Sequence, residues 1–260
     1  MNILRLLPLA LATATIPVSA SAFGSADLVR QGRLVYDSAF TQADQERIKP
    51  LVARALQQVA AFYGERKADV PDIFLCKTEA CAAYLGGSQW HSFTERKGAR
   101  RQSDGLHWFE RPSIVITTLA RSPTATDDSL VIAVAHELAH IEAFQRSGKT
   151  FLPAWFDEGL ATLVAGANCT PDMRGVGDLG KLATTDLWKQ HTRQANGLSR
   201  QTHCQAGLEV QAWAQKNGGV PGLAKLLADS QKGGLKAKYG DFLLPAAALS
   251  DPTPGQEHDD

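Results

Sequence analysis

The chain has 260 residues, 44% hydrophobic and 21% charged, with a formal net charge of zero. This length and composition suit a globular protein of one good-sized domain or two small ones. Because a nucleic-acid partner calls for a clear basic excess, the balanced charge argues against that class of partner.

The first 22 residues have the pattern of a secretory signal peptide. One basic residue, Arg5, is followed by an apolar centre and by Ala20-Ser21-Ala22, which suits signal peptidase. Two prolines interrupt the apolar run, which is short for a membrane span, so cleavage after Ala22 is favoured over an uncleaved anchor. The mature chain is therefore expected to be periplasmic or secreted, with no membrane partner, and its oligomeric state is not predicted.

Export permits disulfide bonds among the four cysteines. Four cysteines allow three pairings, and the sequence alone does not choose among them. We favour Cys76–Cys81, a local pair, and Cys169–Cys204, which would tie the segment after the predicted metal site to a C-terminal helix. No C-x-x-C pair is present, which argues against a cysteine zinc site.

The first half of the mature chain predicts few regular elements. Residues 23–40 are weakly patterned. Apolar steps of three and four over Gln42–Tyr63 predict a helix that ends at Gly64 and is kinked at Pro50 or begins there. Residues 72–76 and 113–118 predict strands, and residues 79–85 a helix capped by Thr78. In the polar stretch 87–105, a solvated loop is favoured over a basic, substrate-contacting lip.

The second half predicts helices. A long helix is expected over residues 127–147, a second over 155–165, and two more over 204–216 and 221–230. The tail at 251–260 is expected to be disordered. Since no repeat or linker interrupts the chain, we expect a single domain over residues 23–250.

The motif His136-Glu137-Leu138-Ala139-His140 lies in the middle of the long helix. Residues i and i+4 share a helix face, so His136 and His140 can present two imidazole nitrogens to one zinc ion. Glu137 projects about 100° around the helix and could take a proton from a zinc-activated water. The residues before the motif are apolar, and buried polar side chains without a partner are costly, so a metal is favoured over an accidental spacing.

A catalytic zinc site needs a third protein ligand. Glu158 follows His140 by 18 residues, at the start of the second helix, and Asp157 beside it competes for the role or serves as an N-terminal helix charge. Ligand type favours zinc, one ion per chain, without strictly excluding manganese or iron.

These residues resemble the gluzincin branch of the zinc metallopeptidases, the peptidase MA group with thermolysin-like and aminopeptidase-N-like members. The match joins HELAH to the W-x-x-E-G-x-A pattern of WFDEGLA, residues 155–161. The resemblance implies His136, His140 and Glu158 as zinc ligands and Glu137 as general base. By analogy, Thr162 could hydrogen-bond a ligand histidine.

The resemblance also implies an α+β, zincin-like fold: a small mixed sheet packed on the active-site helix, and a helical C-terminal part. The strand at 113–118 would lie near the cleft, where an edge strand pairs with extended substrate. A downstream side chain would stabilise the oxyanion. His203 is preferred slightly over His191 and Tyr239, because the neighbouring Cys204 would fix it.

The sequence thus predicts an exported zinc metallopeptidase that acts on a peptide or protein substrate. The chain has no G-x-M-E-N-like segment of the kind that holds a free N-terminus, so an endopeptidase is favoured over an aminopeptidase. The alternative is a catalytically silent zincin-fold binding protein of the cell envelope; a zinc-storage role has less support. The bond that is cleaved is not predicted.

Overall fold

The computed structural model describes residues 23–86, 92–97, 109, 111–117, 126–194 and 199–231. The predicted signal segment 1–22 and the predicted tail 251–260 lie outside these ranges. The single-domain prediction over residues 23–250 stays a prediction.

Five strands form one small mixed sheet. They are β1 (Leu28–Gln31), β2 (Leu34–Asp37), β3 (Asp72–Leu75), β4 (Phe93–Glu95) and β5 (Ser113–Ile116). The order across the sheet is β1-β2-β3-β5-β4; β2, β3 and β5 are parallel, and the two outer strands are antiparallel to their neighbours. With the helices below, this confirms the α+β class.

The central strands are buried on both faces. Every residue of β3 and β5 is buried, as expected for parallel strands covered on both sides. On one face, Ile73, Ile114 and their neighbours join the main core with the long helices. On the other face, Phe74 and Val115 pack in a second cluster with the short helix α2.

Two helices of the first half have the predicted positions. Helix α1 spans Gln42–Tyr63 and begins with a capping box, in which Thr41 accepts from the Asp44 N–H at 3.2 Å. It ends at Gly64, whose φ is 80°, and Pro50 lies inside it, so the helix does not begin there. Helix α2 spans Glu79–Tyr84 and is capped by Thr78, as predicted.

Five helices follow in the second half. They are α3 (Asp127–Arg146), α4 (Ala154–Val164), α5 (Thr185–Gln194), α6 (Ser199–Lys216) and α7 (Gly219–Ser230). Helix α3 is capped by Thr126, carries acidic residues in its first turn and a basic residue in its last, and packs on α1, α4 and the sheet. Its central position places the HELAH motif inside the molecule.

Four elements, β1, β2, β4 and α5, were not predicted from the sequence. The weakly patterned segment 23–40 contains the hairpin β1–β2, whose turn is made at Gly32 with φ 63°. The polar stretch 87–105, predicted as a loop, contains β4. Helix α5 was not predicted. Most of β1 is exposed and β4 is three residues long, so neither shows the alternation that predicts a strand.

Both predicted disulfides are present. Cys76 is bonded to Cys81 and Cys169 to Cys204. Disulfides form and persist in oxidising compartments, which agrees with export of the chain. In the part of the chain that the structure describes, none of the helices combines the length and apolar character needed to span a membrane.

Candidate metal centre

Helix α3 brings two imidazoles together. The Nε2 atoms of His136 and His140 lie 3.2 Å apart, and the rings meet edge to face with centroids separated by 4.8 Å. His140 is buried and His136 is partly buried. The i, i+4 spacing therefore has the consequence predicted for it, two ring nitrogens pointing at one place.

Glu158 of helix α4 points at the same place. Its Oε2 lies 3.1 Å from His136 Nε2 and 3.6 Å from His140 Nε2. Tetrahedral zinc ligands at 2.0–2.1 Å from the ion are separated from one another by about 3.3 Å. His136 Nε2, His140 Nε2 and Glu158 Oε2 form a triangle with edges of 3.1, 3.2 and 3.6 Å. These distances fit one face of a tetrahedral zinc site.

A third histidine approaches from helix α6. His203 Nε2 lies 3.3 Å from Glu158 Oε2, and the ligand atoms of His136, Glu158 and His203 all lie within 4.8 Å of one another. The His203 ring is held by a 2.7 Å hydrogen bond between Nδ1 and the Ser199 carbonyl and by edge-to-face packing on Trp188. His136, Glu158 and His203 form a group that could bind a metal ion.

Two glycines let α6 come this close to α4. A Cβ on Gly159 would lie 2.5 Å from the carbonyl oxygen of Ala206, a distance that real Cβ atoms do not reach. Gly207 of α6 faces Thr162 of α4 in the same crossing. His203 lies one turn before Gly207, so the close crossing sets its distance from Glu158. The Cys169–Cys204 disulfide ties the residue next to His203 to the chain after α4.

Asp157 contacts His140 from the side opposite the cluster. Its Oδ2 lies 3.1 Å from His140 Nδ1 and also accepts a hydrogen bond from the guanidinium of Arg96. Asp157 and Glu158 therefore bracket the His140 ring, one carboxylate at each nitrogen. A carboxylate on the outer nitrogen fixes the tautomer and orientation of a ligand histidine.

The charges in the cluster shift the pKa values of its members. Burial opposes protonation of His140, but the carboxylates of Asp157 and Glu158 outweigh it and raise the pKa of His140 to about 10. Burial would raise the pKa of Glu158, but the charge of His140 and hydrogen bonds from the histidines hold it well below its usual range. The two carboxylates thus create a negative potential that favours a cation at this place.

Glu137 lies beside the cluster on the next face of α3. It is buried, and its Oε2 accepts a 2.6 Å hydrogen bond from the hydroxyl of Thr94 on β4. The same hydroxyl lies 3.0 Å from the Glu137 carbonyl oxygen. Strand β4 therefore orients the carboxylate that the sequence predicts as a general base.

The structure differs from two expectations, one for Thr162 and one for the strand predicted at 113–118. The Thr162 hydroxyl, predicted to bond a ligand histidine, is buried and has no hydrogen-bond partner among the described residues. The Nε2 atom of His191 is likewise buried without a partner in the described ranges, while Tyr239 lies outside those ranges. Strand β5, which was predicted over residues 113–118, is not at the edge of the sheet, because β4 pairs with it.

Sequence reasoning missed the roles of Thr94 and Arg96. Both lie in the polar stretch 87–105, whose composition predicts a loop, and Thr94 contacts Glu137, 43 residues away in the chain. The Phe93-Thr94-Glu95 run, with two residues of high strand propensity, is the one local signal for β4.

No family model, no curated protein and no solved structure matches the chain.

Proposed function

We propose that the chain is an exported, zinc-dependent metallopeptidase of the gluzincin type with a zincin-like fold. The observation that carries the proposal is the near-equilateral triangle of His136 Nε2, His140 Nε2 and Glu158 Oε2 beside the buried carboxylate of Glu137. Two imidazoles and one carboxylate are a typical ligand set of catalytic zinc sites.

The ligand set favours zinc over harder cations. Imidazole nitrogen suits zinc well, whereas magnesium and calcium prefer sites made of oxygen ligands. The outer contact between Asp157 and His140 Nδ1 matches the carboxylate–histidine–zinc arrangement of such sites. His136, His140 and Glu158 would hold the ion and leave a fourth position open.

The chain's own side chains would do the rest of the chemistry. When bound, zinc lowers the pKa of water toward about 7 and polarises a carbonyl group. Glu137 would accept the proton of the attacking water and pass it to the leaving amine. Thr94 holds Glu137 Oε2, which leaves Oε1 as the oxygen that accepts the proton. Since the Nδ1–H of His203 donates to the Ser199 carbonyl, His203 would donate to the oxyanion from Nε2 in its doubly protonated form.

Strand β4 offers a place for the substrate. Within the described part of the chain, β4 is an outer strand whose ladder partner is β5. An extended peptide could add to its free edge through backbone hydrogen bonds. Since Thr94 on this strand contacts Glu137, a peptide on that edge would lie beside the general base. An endopeptidase is preferred, because the chain carries no segment resembling those that hold a free N-terminus.

The position of His203 also favours a second candidate function. If His203 were a fourth ligand, the metal would be closed off by protein, as in structural zinc sites. The chain would then be a metal-holding binding protein of the cell envelope without turnover.

The test compares the mature chain, residues 23–260, with its Glu137→Gln variant. Metal content and cleavage of casein and of a peptide library are measured side by side, before and after treatment with a chelator. We expect one zinc per chain in both proteins and cleavage by the wild type alone, abolished by the chelator. Glu46→Gln, an exposed change on α1, is the matched control and should cleave normally. Metal without cleavage in the wild type would favour the binding protein, and cleavage by Glu137→Gln would refute the mechanism.

A further inference from the structure

A cavity of about 580 Å³ lies between the C-terminal half of α3, the loop 67–71 and the residues that follow β4. Its volume is in the range of ordinary ligand sites. Five cationic residues line it: Lys67, Arg96, Lys97, Arg111 and Lys149. Asp69 is the one acidic residue among the described lining residues, so this described lining is strongly basic in a chain whose net charge is zero.

No described carboxylate of the cavity lining forms an ion pair with the five cationic side chains. Arg96 is paired with Asp157, and Arg111 Nε lies 3.9 Å from Asp72 Oδ2. The three lysines form no ion pair with any carboxylate in the described ranges. Such a concentration of unpaired positive charge in a concave site attracts an anion.

The walls of the cavity are held in place by a buried carboxylate. Glu142 of α3 accepts hydrogen bonds from the backbone N–H groups of Lys67 at 2.7 Å and Ala68 at 3.0 Å. Its Oε1 also accepts from Arg146 Nε at 2.7 Å. The loop that carries Lys67 is thus fixed to α3, and the basic wall is preorganised.

The backbone at Lys149 is strained. Its φ is 66°, and among the described residues it is the sole non-glycine with a positive φ. This left-handed conformation suits glycine or asparagine, and a lysine adopts it at a cost. The end of α3 holds this conformation, because the Lys149 N–H donates to the Phe144 carbonyl at 2.8 Å. Here the side chain of Lys149 lines the basic cavity.

The cavity lies close to the metal centre. Arg96 lines it and lies 3.3 Å from His140 Nδ1. Phe144, in the cavity wall, follows Glu137 by seven residues and so lies two turns along the same face of α3, about 10 Å away. An extended peptide covers that distance in about three residues.

We propose that this cavity binds a carboxylate side chain of the peptide substrate, two or three residues from the bond that is cleaved and on one side of it. The proposal rests on the metallopeptidase function and names its substrate class, an acidic peptide segment. The lysines and Arg111 supply the opposing charge, and the apolar wall of Ile141 and Phe144 receives the methylene groups of a glutamate.

Binding is measured without turnover, on the zinc-loaded mature Glu137→Gln protein. The probes are fluorescein-labelled heptapeptides of alanine with Glu, Gln or Lys at the third residue from either end, followed by fluorescence anisotropy. We expect a Glu peptide to bind about tenfold more tightly than its Gln counterpart, a preference that added salt weakens. The preference should appear with the glutamate near one end and not the other.

Two variants and a control assign the effect to the cavity. Lys97→Gln and Lys149→Asn should each reduce the preference for Glu by several-fold, as expected for partly screened charge pairs. Lys149→Asn should also keep or raise the melting temperature, since asparagine tolerates the left-handed backbone, so its loss of binding cannot be ascribed to unfolding. Lys49→Gln, at an exposed position on α1, should keep the full preference.

The outcomes separate this proposal from the metallopeptidase function. Preference for Glu without hydrolysis by the wild type supports the cavity and counts against the peptidase. Hydrolysis without preference for acidic residues supports the peptidase function and overturns the cavity proposal. Equal binding of the Glu and Gln peptides also overturns the cavity proposal. The cavity proposal would also be overturned if inorganic phosphate displaced the Glu peptide at a phosphate concentration below the Kd of the peptide. The site would then bind a free anion in preference to a peptide side chain.

Discussion

Replacement of His203 by glutamine should separate the two roles that its position allows. His203 Nε2 lies 3.3 Å from Glu158 Oε2, close enough either to bind the metal or to donate to an oxyanion at the open position. The ring does not depend on a metal for its place, because Ser199 and Trp188 hold it. The variant is therefore expected to fold with the rest of the site intact.

We expect kcat to fall by about 100-fold, or about 2.7 kcal/mol, the lower end of the range for removal of one oxyanion donor. The lower end applies because 28% of the His203 side chain is exposed, and a donor open to water is worth less. kcat and kcat/KM should fall together, since the contact forms only in the transition state. Zinc affinity, measured by competition with a chromogenic chelator, should change by less than about tenfold.

The reasoning would be refuted by a loss of zinc affinity beyond about 100-fold, more than removal of an outer-shell partner costs. His203 would then be a ligand, the site would have four protein ligands, and the silent binding protein would be the better reading. His191→Gln on α5 is the matched histidine control, and it should change neither kcat nor zinc affinity.

Three further variants test the architecture of the site. Asp157→Asn should weaken zinc binding by about 10–100-fold with little change in overall fold, measured by chelator competition, because it removes the carboxylate on His140 Nδ1. Gly159→Ala should lower the free energy of unfolding by about 1–3 kcal/mol in urea denaturation, because its Cβ would collide with the α6 backbone. Joint replacement of Cys169 and Cys204 by serine should cost about 3–4 kcal/mol, because that bond closes a loop of 35 residues. An unchanged unfolding curve in either of the last two cases, or unchanged zinc affinity in the first, would contradict the packing described.

The sequence predicted those parts of the site that lie on one element. His136 and His140 meet because they are one helical turn apart, and Glu137 projects from the next face for the same reason. Glu158 was identified with the help of a family resemblance, since Asp157 is equally close in sequence. The structure distinguishes the two positions: Glu158 joins the cluster, and Asp157 contacts the outer nitrogen of His140.

The sequence likewise predicted some elements of the fold and not others. Elements with a strong apolar period or a clear cap, such as α1 and α2, have the predicted positions. Strands β1, β2 and β4 were not predicted, because β1 is largely exposed and β2 and β4 are only four and three residues long. Strand β2 pairs with β3 and β4 pairs with β5, and a partner strand elsewhere in the chain leaves no local pattern.

The sequence by itself determined the positions of capped, strongly periodic helices such as α1 and the face of α3 that carries His136, Glu137 and His140. The reason is that helical periodicity and short spacings act within a few residues. The tertiary structure alone decided that Thr94 orients Glu137, that Arg96 joins Asp157 to a basic cavity, and that His203 faces Glu158. These contacts join distant segments, and they form only where the sheet edge and the close crossing of α4 and α6 bring the backbones together.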